Sequence, residues 1–198
     1  MTGREQRVAG YLIHAGPLAV VTAWVVIGLS WYLNRDWFVF SEDAYSDFGT
    51  STSCCPELYN YGLISVGFLL VLYGVSLWVL GRNKFEVGGS AYMVLAGVFL
   101  ALIGVYPGGT RPHVFVSSWF FVQADMALIL VTLGAWIRLR SRLSYAGFWA
   151  SLAAFPVAFL LDMIFPWPSA AVLETYGILV IDIVALLVYI DYRRVVRA

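Results

Sequence analysis

The chain has 198 residues, 61% of them apolar and 12% charged, with twelve basic residues balancing twelve acidic ones. A soluble domain carries about a quarter charged residues, so this composition excludes an ordinary soluble fold and points to a membrane protein. The net charge of zero, with basic residues scattered over short polar connections, gives no case for nucleic acid as a partner.

Six apolar runs reach the roughly 20 residues that carry a helix across about 30 Å of hydrocarbon. They cover residues 8–33, 57–81, 89–107, 113–137, 145–165 and 170–192. The expected fold is all-α, a polytopic six-helix transmembrane bundle forming a single integral membrane domain over residues 1–198. The first run is too long for a typical signal core and no small-residue cleavage site follows it, so it reads as a retained span. Pro17 and Pro156 lie inside spans and predict kinks. Gly62 with Ser65, and Gly88, Gly89 and Ser90 with Gly97, predict close helix packing.

Arg4, Arg7, Arg82, Lys84, Arg138, Arg140, Arg142, Arg193, Arg194 and Arg197 fall at one end of this arrangement; only Arg35 and Arg111 fall at the other. The positive-inside bias makes the basic end cytoplasmic. The protein is therefore expected in the cell membrane with both termini inside.

The first outer connection, residues 34–55, is longer than a simple connector needs. Trp37, Phe38, Phe40, Tyr45 and Phe48 suit headgroup depth, which predicts an ordered first outer loop capping the bundle. Cys54 and Cys55 within it could be free thiols, a strained vicinal disulfide or a link to another chain. Pro56 suits a first helical position and Glu57 the positive end of its dipole. Similar helix starts recur at "GGTRPHVF", where Thr110 can cap and Pro112 opens the span, and at "PWPSAAVLET", with Ser169 near the cap.

Around these starts gather Glu42, Asp43, Ser46, Asp47, Glu57, Arg111, His113, Ser117, Asp162 and Glu174, and no comparable polar mixture is expected at the inner end. His113 and Ser117 are four apart and share a helix face, with Ser118 and Phe121 turned elsewhere. One reading is acyl transfer by a lipid hydrolase or acyltransferase, with Ser46 or Ser117 as nucleophile, His113 as base and Asp47 orienting the imidazole. A metal site on Asp47, His113 and Glu174 or a cysteine is a second reading, although one outer histidine is a thin basis for zinc. A third is lipid or anion binding, with Arg111, His113 and helix N-termini as donors and Glu57 and Glu174 already compensating those termini. The plainest has Ser46, Asp47 and His113 bonding one another and the backbone to pin the loop.

Asp125 and Asp182 each lie about twelve residues inside their helix starts, which puts both near mid-membrane at about 1.5 Å per residue. They could face one another, sharing a proton or a cation, or bond Gln123, Thr132 or a tyrosine. His14 reads as a packing histidine. No nucleotide loop, CxxC, CxxCH or HExxH occurs, so no motif identifies a cofactor.

"SDFG" at residues 46–49, "PEL" at 56–58 and "YG" at 61–62 resemble the S-D-x-G, P-E and aromatic-Gly pattern of the damage-regulated autophagy modulator (DRAM) family. His113 opening the fourth span, followed by Ser117 and Phe120, resembles the same superfamily. That superfamily includes the GPI-anchor lipid-remodelling proteins and a prokaryotic domain-of-unknown-function family of six-helix membrane proteins, which looks most similar to this chain. The chain departs from the pattern in "TSTSCC" and in the Arg-Pro before the histidine. The ceramidase-like seven-helix hydrolases look similar in using Ser, Asp and His, but they need several histidines where this chain has two. The resemblance implies a connection with membrane lipids and an outer site of Ser46, Asp47, Glu57 and His113. The expected function is an outward-facing polar pocket that recognises or remodels lipid headgroups, with membrane lipids, partner subunits or a second copy as associates. The alternative is a non-enzymatic subunit of a membrane complex, or an ion or proton transport component using the mid-membrane carboxylates.

Overall fold

A computed structural model describes residues 3–197, which contain seven α-helices and no strand. Helices α1 (Gly3–Leu12) and α2 (Ala15–Leu33) together make the first span; α3 (Pro56–Leu80), α4 (Lys84–Val105), α5 (His113–Leu139), α6 (Arg142–Ile164) and α7 (Ala170–Arg197) make the other five. Six helices are long and apolar enough to cross a membrane. An apolar run in hydrocarbon must satisfy its own backbone, and a helix does so within one segment. The expected six-helix bundle of a multi-pass membrane protein is the observed one.

The boundaries differ where a local bond outweighs hydropathy. The first span breaks at residues 13 and 14, because Pro17 offers no N–H to the Ile13 carbonyl and its ring crowds that oxygen. Gly16 N donates to the carbonyl instead, at 3.3 Å. The third span starts at Lys84 instead of residue 89, because Asn83 Oδ1 accepts from Phe85 N and Glu86 N, both at 3.0 Å. Pro156 does not end its helix, and α6 runs through it. Thr110 does not cap α5; its hydroxyl donates to the Pro107 carbonyl at 2.7 Å.

Helices α3, α4 and α5 pack as neighbours, α2 lies against α3, and α7 touches α2, α5 and α6. The α3–α4 seam is tight enough to need glycine: a Cβ on Gly67 would stand 2.5 Å from the Gly97 carbonyl oxygen, and one on Gly97 would stand 2.7 Å from the Gly67 oxygen. The half of α6 toward Ile164 is the least enclosed part of the bundle, with Phe159, Met163 and Phe165 beyond it well exposed. We call the end that carries residues 34–55 the loop face and the opposite end the terminal face.

The expectation that polar groups would concentrate at one end is corrected at the terminal face. Glu86 is fully buried, with Oε1 2.7 Å from Arg138 Nε and Oε2 accepting from Arg82 N at 2.6 Å. The Arg138 guanidinium also lies 5.5 Å from the Tyr192 ring centroid. Asp191 accepts from Ser141 Oγ at 2.8 Å and Ser144 Oγ at 2.5 Å, with Arg194 Nη1 at 3.5 Å. These contacts tie α4, α5, α6 and α7 together. Sequence spacing hides them because the partners lie about fifty residues apart.

At the loop face the predicted cap is ordered, but three of its aromatic residues turn inward instead of toward headgroups. Phe38, Tyr45 and Phe48 are buried, with Phe38 and Phe48 centroids 4.4 Å apart, while Trp37 and Phe40 stay exposed. Buried Asn34 organises the rest. Its Oδ1 accepts from Trp37 Nε1 at 3.1 Å, Ser53 Oγ at 3.2 Å and Cys54 N at 2.9 Å.

Candidate functional site

Two cavities meet under this cap. The first, about 100 Å³, is a narrow shaft inside the bundle. Ser46, His113, Ser117 and Glu174 line its loop end, Leu63, Val66 and Leu70 its wall, and Asp182 and Tyr73 its lower part. The second, about 770 Å³, is a groove between α5, α6 and α7. Ser117, Phe121, Glu174 and Ile181 line both and form the partition between them. Phe121, expected to point away from the His113 face, reaches this partition because Gly177 leaves room: a Cβ there would stand 2.8 Å from Phe121 Cε1.

Glu174 sits at the junction. Its Oε2 accepts from Tyr45 N at 3.0 Å, and the Tyr45 hydroxyl bonds Thr175 Oγ1 at 2.9 Å. Burial pushes the Tyr45 phenol above its ordinary value and the charge of Glu174 adds to this, while the Thr175 bond opposes it. Ser169 Oγ donates to the Phe40 carbonyl at 2.7 Å and Ala171 N to the Asp43 carbonyl at 3.0 Å. The start of α7 therefore holds the first half of the loop. Asn60 on α3 holds the second half, donating to the Gly49 carbonyl at 3.0 Å.

Of the relay read from the sequence, Ser46, His113 and Ser117 line one cavity, but His113, Asp47 and Ser117 each bond elsewhere. His113 Nδ1 lies 2.8 Å from the Tyr106 carbonyl oxygen. A carbonyl only accepts, so Nδ1 carries the proton of this bond. Asp47 Oδ2 accepts from Ala44 N at 2.9 Å, closing the 3₁₀ turn Tyr45–Gly49. Ser117 Oγ donates to the Val114 carbonyl at 3.2 Å. Neither the bond from serine to imidazole nor that from imidazole to Asp47 is formed, and the loop is pinned by Glu174, Ser169, Asn34 and Asn60 instead. Glu57 and Arg111 are exposed and line neither cavity. Cys54 and Cys55 are exposed free thiols with Sγ atoms 3.0 Å apart, and the hydrogen bond to Cys55 pushes the Cys54 thiol up. Among the described residues, no cluster of three or more His, Cys, Asp or Glu is placed to hold a metal.

Asp125 and Asp182 open onto different cavities. Asp182 Oδ2 accepts from Trp24 Nε1 at 2.7 Å within the shaft. Asp125 lines the groove, is 8% exposed, and has no hydrogen-bond or ion-pair partner among the described residues. Thr132, considered as its partner, donates to its own helix at the Leu128 carbonyl. Asp162 Oδ1, at the groove's loop end, accepts from Trp167 N at 3.2 Å. Tyr176 OH donates to the Ala154 carbonyl at 2.8 Å and joins α7 to α6 along one side. His14 lies at the surface, Nδ1 2.9 Å from Tyr189 OH. Sequence reading missed Trp24, Asn34, Asn60 and Tyr176. The usable signal was a polar tip on a residue in or beside a span, since a buried indole, amide or phenol needs a partner.

Chemically, the groove is an apolar and aromatic slot with carboxylates at two depths, of a size with small-molecule sites. The shaft beside it offers an imidazole Nε2 and two hydroxyls at its loop end. No curated protein and no solved structure matches the chain, so the relationship to the DRAM and GPI-anchor lipid-remodelling families finds no support. The family model described as "Protein of unknown function (DUF998)" matches residues 17–191, most of the chain, and the protein belongs to that family.

Proposed function

We propose that this DUF998 protein binds a membrane amphiphile in the groove between α5, α6 and α7. In the lipid form of this reading, the headgroup is recognised at the loop face, among Ser117, Asp162, Ser169 and Glu174, and the apolar body lies against Phe121, Phe155 and Phe159. The positive-inside bias supports placing that face outside. The observation that carries the reading is the 770 Å³ groove itself, whose polar residues sit at its loop end apart from Asp125 and the Tyr176 hydroxyl. The exposed outer half of α6 supports lateral access from the bilayer, since no other described residue encloses it. Binding is favoured over turnover because Ser117 is bonded to its own helix and not to His113.

The test is native mass spectrometry of protein purified in mild detergent from its own membranes. The wild type should retain one amphiphile per chain. Ala158→Trp, which places an indole inside the groove, should lose it while keeping the same thermal stability within a few degrees. Equal retention by both proteins would refute the assignment of the groove.

A further inference from the structure

We propose that the ligand of the groove is a lipophilic organic cation, an amine or quaternary ammonium centre on an apolar body, with Asp125 as its counter-charge. This rests on the groove being the ligand site and adds which charge it accepts and at what depth.

Three carboxylates line the groove, Asp125, Asp162 and Glu174, and no Lys, Arg or His does. Asp162 and Glu174 each accept a backbone N–H from a neighbouring segment. Asp125 has no such compensation, although it is 8% exposed and sits well inside α5. From the start of that helix it lies on the order of 18 Å deep. A carboxylate at such depth is ordinarily paired or turned to a cavity; this one is unpaired and turned to the groove. An anionic amphiphile would meet three like charges, and a neutral one could donate a hydrogen bond to Asp125 but would leave its buried charge uncompensated. A cation satisfies both conditions. Phe121, Phe155, Phe159 and Tyr176 line the same walls, and aromatic rings attract a weakly hydrated cation. An inorganic cation fits less well. Glu174 is four residues into α7 and Asp125 twelve into α5, so their carboxylates differ in depth by about 12 Å and cannot converge on one ion.

The test is equilibrium dialysis of the full chain in detergent against tetraphenylphosphonium and tetraphenylborate, which share shape and differ in charge. Wild type should bind the phosphonium saturably, one per chain, and the borate not at all. Asp125→Asn, nearly isosteric, should weaken phosphonium binding by at least about tenfold, whereas Glu57→Gln, exposed and lining neither cavity, should change it by less than about threefold. Ala158→Trp should abolish it. Equal binding of both probes, binding of neither, or an Asp125→Asn protein that binds as wild type would overturn the cation inference. If Ala158→Trp still blocks retention of the native amphiphile, the groove reading survives that failure. If Ala158→Trp affects neither probe nor amphiphile, both fall.

Discussion

Replacing Glu86 by glutamine changes one atom in a deeply enclosed ionic contact. Glu86 is fully buried, while the Arg138 side chain keeps 20% of its surface exposed. The carboxylate accepts from Arg138 Nε through one oxygen and from Arg82 N through the other. A glutamine amide can satisfy one of these donors but must turn its NH₂ toward the second. Arg138 Nη2 is already buried without a hydrogen-bond partner, so the lost charge adds to an existing deficit. Removing one partner of a fully buried pair costs about 3–5 kcal/mol; partial exposure of the guanidinium lowers the expectation to about 2–4 kcal/mol. The assay is reversible unfolding in mixed micelles, comparing Glu86→Gln, Arg138→Met and the double variant. The double variant should regain at least half of the loss, because a methionine leaves no charge to compensate. A Glu86→Gln protein within about 0.5 kcal/mol of wild type, or losses that simply add in the double variant, would refute the reasoning.

Three further outcomes follow from contacts elsewhere. Gly67→Ala should destabilise by about 1–3 kcal/mol in the same unfolding assay, because its methyl carbon meets the Gly97 carbonyl oxygen and the α4 backbone at once. Tyr45, whose phenol is held above its ordinary value in the folded state, stays neutral after the unfolded chain has begun to ionise. Its contribution is thus complete below the ordinary tyrosine value, near pH 10, and declines as pH rises beyond it; Tyr45→Phe should flatten that alkaline decline in a wild-type-against-variant stability profile. Cys54 and Cys55 should both react with a membrane-impermeant maleimide on intact cells if the loop face is outside, and no labelling would reverse the orientation. Because the Cys55 contact pushes the Cys54 thiol up, Cys55→Ser should speed Cys54 alkylation at neutral pH, followed by mass spectrometry of the labelled peptide.

The spans were legible because their signal is local: a run of apolar residues long enough to cross hydrocarbon is visible in any window. The ordered loop was also legible, from its length and its rings, although burial of Phe38, Tyr45 and Phe48 depends on α3 and α7 contacts that no window contains. The candidate site was legible only as a set of residues. Ser46, His113, Ser117 and Glu174 do line one cavity, but spacing along a helix gave no way to see that Tyr106 occupies His113 Nδ1 or that Tyr45 N occupies Glu174. Asp125 and Asp182 were singled out by their distance along the helices. Which wall each faces depends on helix rotation, and that is decided by partners such as Trp24, far away in sequence. The Glu86–Arg138 pair escaped for a related reason: at helix ends a charge normally reaches water, so only the packing of α4 on α5 reveals that this one does not.

The central claim, an amphiphile lodged between α5, α6 and α7, is tested most directly by an experimental structure of the wild-type chain in a lipid nanodisc. The account predicts elongated density between Phe121, Phe159 and Tyr176, reaching Asp125 and displaced when tetraphenylphosphonium is added. A groove closed by α6 lying against α7, with Ala158 near Gly177 and no density between them, would contradict it.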